Sequence, residues 1–187
     1  MSLFAIADLH LSFSTNKPMN IFNGWDNYEE RLEKNWRALV TDNDTVVIPG
    51  DISWAMKLNE TYKDFKFINE LPGKKLFLKG NHDYWWETRR KIEKFLAENK
   101  FDTIQIVFYE VWSTLALPNR FIDISETAEI KAKMLEAHKS QMALRNYLPA
   151  SMGLSEYRAL MPNVRNAEAF LALDEKTFVN LVKKIYI

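Results

Sequence analysis

Short apolar runs alternate with longer amphipathic stretches through the first hundred residues. "SLFAIAD" (2–8) is an apolar run closed by a carboxylate, and it predicts a buried strand. A polar loop around "STNKPMN" follows, and "NYEERLEKNWRALV" (27–40) then places Leu32, Trp36 and Leu39/Val40 at helical spacing. "DNDTVVIPGD" (42–51) predicts turn, strand, turn. Residues 58–71 put Tyr62, Phe65, Ile68 and Leu71 on one helical face, and Pro72-Gly73 ends that helix. "KKLFLKGNHD" (74–83) is a second apolar run ending in polar groups; "RRKIEKFLAEN" (89–99) predicts a helix and "FDTIQIVF" (101–108) a strand. This alternation predicts an α/β unit with a mainly parallel sheet and flanking helices.

After residue 108 the pattern changes. "RFIDIS" (120–125) predicts a short strand, and residues 126–148 predict one amphipathic helix capped at Ser125. Residues 154–161 suggest another short helix, while the tail "EKTFVNLVKKIYI" (175–187) fits helix or strand equally. No proline- or glycine-rich linker separates the two parts, and "IQIVFYEVW" (104–112) would allow one continuous sheet to pass between them.

Composition narrows the function. With 187 residues, 47% of them hydrophobic, the chain can bury a core. Lys plus Arg and Asp plus Glu both total 25, so the basic footprint that phosphate-backbone binding needs is missing, and nucleic acid is disfavoured as a scaffold partner. No apolar run approaches the roughly 18 residues of a membrane span. "MSLFAIADLHLS" lacks the features of a signal peptide, so the expected compartment is the cytoplasm. The chain has no cysteine, which leaves oxygen and imidazole as the donors for any metal. Only five glycines occur, and two of them, Gly50 in "PGD" and Gly80 in "KGN", sit at predicted strand ends where the backbone needs freedom.

Three strand ends carry the candidate chemistry: Asp8 with His10, Gly50-Asp51, and Gly80-Asn81-His82-Asp83. Open parallel sheets bind ligands at the carboxyl ends of their strands, so these ends can converge on one crevice. Asp8 and His10 are two apart, and on an extended backbone both would point the same way, forming a metal pincer. Asp8, His10, Asp51 and Asn81 supply the mixed oxygen and imidazole donors that Mn²⁺, Fe²⁺ or Zn²⁺ accept. Asp51, on the middle strand, is the natural bridge between two ions. His82 could protonate a leaving oxygen, with Asp83 fixing its tautomer. Read singly, the carboxylates could be helix caps, Asn81 a turn residue and His10 a polar loop residue; the ordered set argues against that. Tyr84, Trp85 and Trp86 read as packing rather than as a base-stacking platform.

"DLH", "GD" and "GNHD", in this order and each after an apolar run, resemble the calcineurin-like metallophosphoesterases; "GDISWAM", "LPGKKLFLKGNHDYWW" and "KPM" resemble one bacterial branch of them. The resemblance implies that residues 1–108 form half of a metallophosphoesterase sandwich. It makes Asp8 and His10 ligands of a first metal, Asp51 the bridge, Asn81 a ligand of the second metal, and His82 the catalytic imidazole with Asp83 beside it. Members of the family bring further histidines from later strands, but this chain has three in all, His10, His82 and His138. The dinuclear site is therefore expected to be incomplete, with two divalent ions in the family and support here for one. Residues 109–170, with "YEVWSTLALPNRFIDIS", "AHKSQ" and "NAEAF", resemble the C-terminal part of LmbE-like (GlcNAc-PI de-N-acetylase-like) deacetylases. That family's "HPDDE" motif has no counterpart here, so the likeness brings no catalytic residue, and His138 reads as a structural helix histidine. The chain thus reads as a chimera with its join near Val107 to Tyr109: a partial metallophosphoesterase domain at 1–108 and a deacetylase-tail-like segment at 109–187. The expected activity is metal-dependent hydrolysis of a small-molecule phosphoester. The alternatives are a metal-binding module without turnover and, less favoured, an N-deacetylase.

Overall fold

The computed structural model describes residues 1–110 and 114–171. The chain divides into two compact units, Met1–Val107 and Phe108–Ile187. The tail at 175–187, for which helix and strand fitted equally, lies outside the described residues.

In the first unit, strands β1 (Leu3–Ala5), β2 (Thr45–Ile48), β3 (Lys74–Phe77) and β4 (Ile104–Ile106) form a four-stranded parallel sheet in the order β1-β2-β3-β4. Helices α1 (Tyr28–Leu39), α2 (Tyr62–Glu70) and α3 (Arg89–Glu98) are the crossovers, as parallel neighbours require. This is the parallel α/β sheet with flanking helices that the alternation of patterns predicted. The strands are shorter than the apolar runs and alternate in burial: Val46, Ile48 and Phe77 are buried while Val47 and Leu76 are only partly covered. One sheet face therefore carries most of the core, with Phe65 and Ile68 of α2 and Ile92 and Leu96 of α3. On α1 the buried members of the predicted stripe are Trp36 and, at its end, Val40, whereas Leu39 faces solvent. The Trp36 indole donates to Pro72 O at 3.0 Å. The predicted helix 58–71 begins as a 3₁₀ turn, Leu58–Thr61, before α2.

The second unit holds β5 (Phe108–Tyr109), β6 (Arg120–Asp123), α4 (Ala128–Ala137), α5 (Lys139–Leu144), α6 (Leu148–Ala159) and β7 (Ala167–Leu171). Its sheet is antiparallel in the order β5-β7-β6. Three expectations are corrected here. The sheet does not continue through 104–112, because β4 and β5 belong to different sheets, with Val107 donating back to Phe77 O at 2.9 Å. The helix foreseen over 126–148 is two helices, broken at His138, whose ψ of 58° is not helical. Ser125 is not the cap: Thr127 holds that position. The Ser125 hydroxyl instead bonds Asp123 at 2.6 Å and accepts the N–H groups of Arg165 and Asn166, tying the strand end to the chain before β7. α6 starts earlier than foreseen, with Pro149 in its first turn, where a missing N–H costs nothing. Arg158 on α6 pairs with the buried Glu110 and donates to Leu115 O at 2.7 Å. Among the described residues no helix is long and apolar enough to cross a membrane.

Candidate metal centre

Beyond Ala5 the first strand stops, yet the chain keeps running beside the segment after β2. Ile6 donates to Val47 O, Asp8 to Gly50 O, His10 to Asp51 O and Leu11 to Ile52 O, at 2.9 to 3.2 Å. Within this irregular ladder Asp8, His10 and Asp51 all have left-handed backbone, with φ of 58°, 46° and 51°. Such conformations cost a non-glycine residue about 1 kcal/mol or more, and persist only where the surroundings impose them. The expected strand alternation is therefore not what aims Asp8 and His10 together. Two left-handed kinks do that.

The result is a convergent group of donors. His10 Nε2 stands 3.7 Å from Asp8 Oδ1 and 3.9 Å from Asp51 Oδ2, and one donor atom from each of the three lies within 4.8 Å of the others. These gaps are too long for hydrogen bonds. Ligands about 2.1 Å from one ion stand roughly 3 to 3.5 Å apart, so a small closure would seat a divalent cation among the three. Asp8 is exposed; His10 and Asp51 line the interior side. Burial pushes the His10 imidazole below its usual value, while Asp51 and Asp8 pull it upward. A neutral ring is the form that ligates.

Trp54 also belongs to the site. Its indole stacks on His10, with centroids 4.6 Å apart and planes 18° apart, and meets the His82 ring edge-on at 5.4 Å. Its N–H donates to Met19 Sδ at 3.2 Å, and Lys17 Nζ lies 4.8 Å from its ring centroid. The string "GDISWAM" contained the residue, but nothing in it announced a stacking partner for an imidazole.

His82 joins the group through its backbone, donating its N–H to Asp51 Oδ1 at 2.9 Å, with its ring 6.0 Å from that of His10. Its Nδ1 is buried and has no hydrogen-bond partner. The role expected for Asp83, as the group fixing the His82 tautomer, is corrected. The Asp83 carboxylate is buried and accepts the N–H groups of Asp51 (2.9 Å), Ile52 (2.8 Å) and Gly80 (2.9 Å), the longer contact from Ser53 (3.4 Å), and the Trp85 indole (3.0 Å). It clamps one site loop to the other. Burial pushes its carboxyl upward, and the donated hydrogen bonds oppose that. Asn81 is exposed on the same turn, and its place in a ligand set rests on the resemblance.

The two glycines are explained by contact. A Cβ on Gly50, whose φ is 124°, would lie 2.3 Å from Gly80 N, and one on Gly80 would lie 2.1 Å from Asp51 Oδ1. For Gly80 the need is therefore close approach rather than left-handed backbone. Of the three aromatics after His82, Trp85 is core, Trp86 leans on it at 5.1 Å, and Tyr84 is exposed instead of packed. His138 stands elsewhere, at the end of α4 in the second unit, lining a groove of about 320 Å³ with Ile130, Met134 and Leu135.

The uncharacterized protein MJ1445 of Methanocaldococcus jannaschii is 28% identical over 119 residues, which cover 59% of this chain and 65% of that protein. The chain thus spans a little under two-thirds of that relative's length. Two solved structures share 21% and 20% identity: the protein of unknown function AQ665 from Aquifex aeolicus (TM-score 0.39, 62% of this chain and 55% of that one) and the phosphopantetheinyl hydrolase PptH from Mycobacterium tuberculosis (TM-score 0.32, 59% and 37%). The family profile of the calcineurin-like phosphoesterases matches residues 1–146, across the join expected near 108 and into the segment expected to follow the deacetylases. With most of its length matched and its Asp-His-Asp group assembled at the sheet's carboxyl ends, the chain belongs to the calcineurin-like phosphoesterases.

Proposed function

We propose that this chain is a metal-dependent phosphoester hydrolase acting on a small-molecule substrate. The observation that carries the reading is the approach of Asp8, His10 and Asp51 donors to one point without bonding one another. Carboxylate plus imidazole suits Mn²⁺, Fe²⁺ or Zn²⁺. Such an ion, when bound, lowers the pKa of a coordinated water and neutralises charge on a phosphoryl oxygen. Asp51, with one oxygen taken by the His82 N–H and the other facing His10, would hold the first ion, and with Asn81 it would be the residue to hold a second. Trp54 holds the His10 ring, and His82 is the imidazole suited to hold or deliver a proton. Asp83 positions both loops from behind. The balanced charge supports a small phosphoester over a nucleic-acid scaffold, and cytoplasmic residence remains part of the proposal.

The test is release of nitrophenol from an aryl phosphate mono- or diester with Mn²⁺, compared with Asp51→Asn. Wild type should exceed the variant by about 100-fold or more, since a direct ligand weighs more than its supporting shell. Equal, background-level release by two folded proteins would leave ancestry without activity. One observation favours a second reading, a metal-binding module without turnover: three histidines in the whole chain leave the second ion only Asp51 and Asn81. Two tightly bound ions per chain would contradict that reading.

A further inference from the structure

We propose that Asp64 is a positioning residue for the metal pincer, fixing the segment after His10 against the segment after Asp51 from the first turn of α2. The inference rests on the reading that Asp8, His10 and Asp51 hold a cation. Asp64 is fully buried beside Phe65 and Ile68, a place where an apolar residue would complete the core. No lysine or arginine lies within ion-pair reach of it among the described residues. Its two oxygens go instead to two loops. Oδ1 accepts the Phe13 N–H at 2.9 Å, three residues after His10. Oδ2 accepts the Ser53 hydroxyl, two residues after Asp51, and the same hydroxyl oxygen accepts the Ala55 N–H at 3.1 Å.

Between these anchors the loops already touch. Leu11 and Ser53 form a parallel bridge, Leu11 donates to Ile52 O at 3.0 Å, and Trp54 donates back to Leu11 O at 2.9 Å. His10 and Asp51 both hold left-handed backbone just upstream, and such residues relax unless the chain on each side is restrained. Asp83 ties the Asp51 loop to its own turn at Gly80, whereas Asp64 reaches both the segment after His10 and the segment after Asp51. A buried carboxylate with every oxygen committed also specifies geometry more sharply than an apolar contact does. It therefore sets the separation of the two ligand segments.

The experiment uses the full chain in two arms: amide hydrogen exchange of the metal-free protein, and Mn²⁺ titration. The proteins are wild type, Asp64→Ala, Asp64→Asn, and Ile68→Ala as a control that damages the same helix from its core side. Asp64→Ala should speed exchange at the amides of His10, Leu11 and Phe13 roughly tenfold beyond any global change, and weaken Mn²⁺ binding by about tenfold or more. Asp64→Asn, whose amide oxygen can still accept the Phe13 N–H, should recover much of both. Ile68→Ala should lose thermal stability without the selective exchange or the loss of affinity. Should Asp64→Ala fail to fold, Ser53→Ala, which removes one of the two anchors, should move both readouts the same way. Unchanged exchange at those amides, or an Ile68→Ala protein indistinguishable from Asp64→Ala, overturns the proposal. A wild type that binds no Mn²⁺ overturns the metal reading instead, and the exchange pattern still judges Asp64.

Discussion

The two ends of the parallel sheet both carry buried or half-buried charge, and they treat it in opposite ways. At the amino ends, Asp44 accepts the N–H groups of Ser2 and Thr41 and the Thr41 hydroxyl, at 2.5 to 2.9 Å. The fully buried Lys75 donates to Leu71 O and to Thr103 Oγ1. At the carboxyl ends, His10 Nε2 stands 3.7 Å from Asp8 Oδ1 and 3.9 Å from Asp51 Oδ2, too far for a hydrogen bond to either. The backbone differs as well. The three facing residues are left-handed, whereas Asp44 and Lys75 are not among the positive-φ residues. Charge that serves the fold is satisfied by the fold; the other set converges without mutual hydrogen bonds, on left-handed backbone that neighbours such as Asp83 and Asp64 restrain.

The largest expected effect comes from breaking the clamp that holds the open end. Asp83→Ala leaves the N–H groups of Asp51, Ile52 and Gly80 and the Trp85 indole without their acceptor, and should cost about 3 kcal/mol or more in urea unfolding. A loss under about 1 kcal/mol would mean that solvent replaces the carboxylate and that no clamp exists.

Lys75 gives the next effect, with a defined sign. Burial pushes its ammonium down to about 8, from an ordinary value of 10.5. Between these values the unfolded chain carries a proton that the folded chain lacks, so stability should rise with pH across that window, the full cost being present below it. Lys75→Met should flatten the rise and stabilise the protein at neutral pH. A wild-type stability that falls between pH 8 and 10 would contradict the assignment.

The smallest effect is at Asp44. Its carboxyl is drawn down to about 2 from 3.8, first by the Thr41 hydroxyl and then by the Ser2 and Thr41 N–H groups. The stability it contributes is present above the ordinary value and lost as pH falls through that interval. Asp44→Asn should remove this part of the acid limb, and a titration unchanged by the substitution would show that the bonds are not maintained.

The carboxyl-end half of this contrast was legible in the chain itself, because periodicity marked the strands and their polar ends marked the crevice, whereas nothing in the pattern marked Asp44 or Lys75. Asp8, His10 and Asp51 could be named because hard donors stood at the ends of three apolar runs. How they meet could not be read, since the left-handed turns depend on hydrogen bonds to a segment some forty residues away. Asp83 was misassigned for the same reason: its partners are backbone N–H groups near Asp51, which have no sequence signature. Asp64 carried no signal in the pattern, which marked only Tyr62, Phe65, Ile68 and Leu71 on that helix, yet the fold buries it. In the second unit, residues 126–148 keep a helical pattern through His138, and only the backbone there shows the break.

The most direct measurement is the binding of Mn²⁺ to the full chain, followed by calorimetry and by the electron paramagnetic resonance of the bound ion. The account predicts at least one site per wild-type chain, lost in Asp51→Asn and in His10→Ala while circular dichroism stays unchanged. Binding that survives both substitutions, or a folded wild type that takes up no ion, would contradict a shared cation site at the carboxyl ends of the sheet.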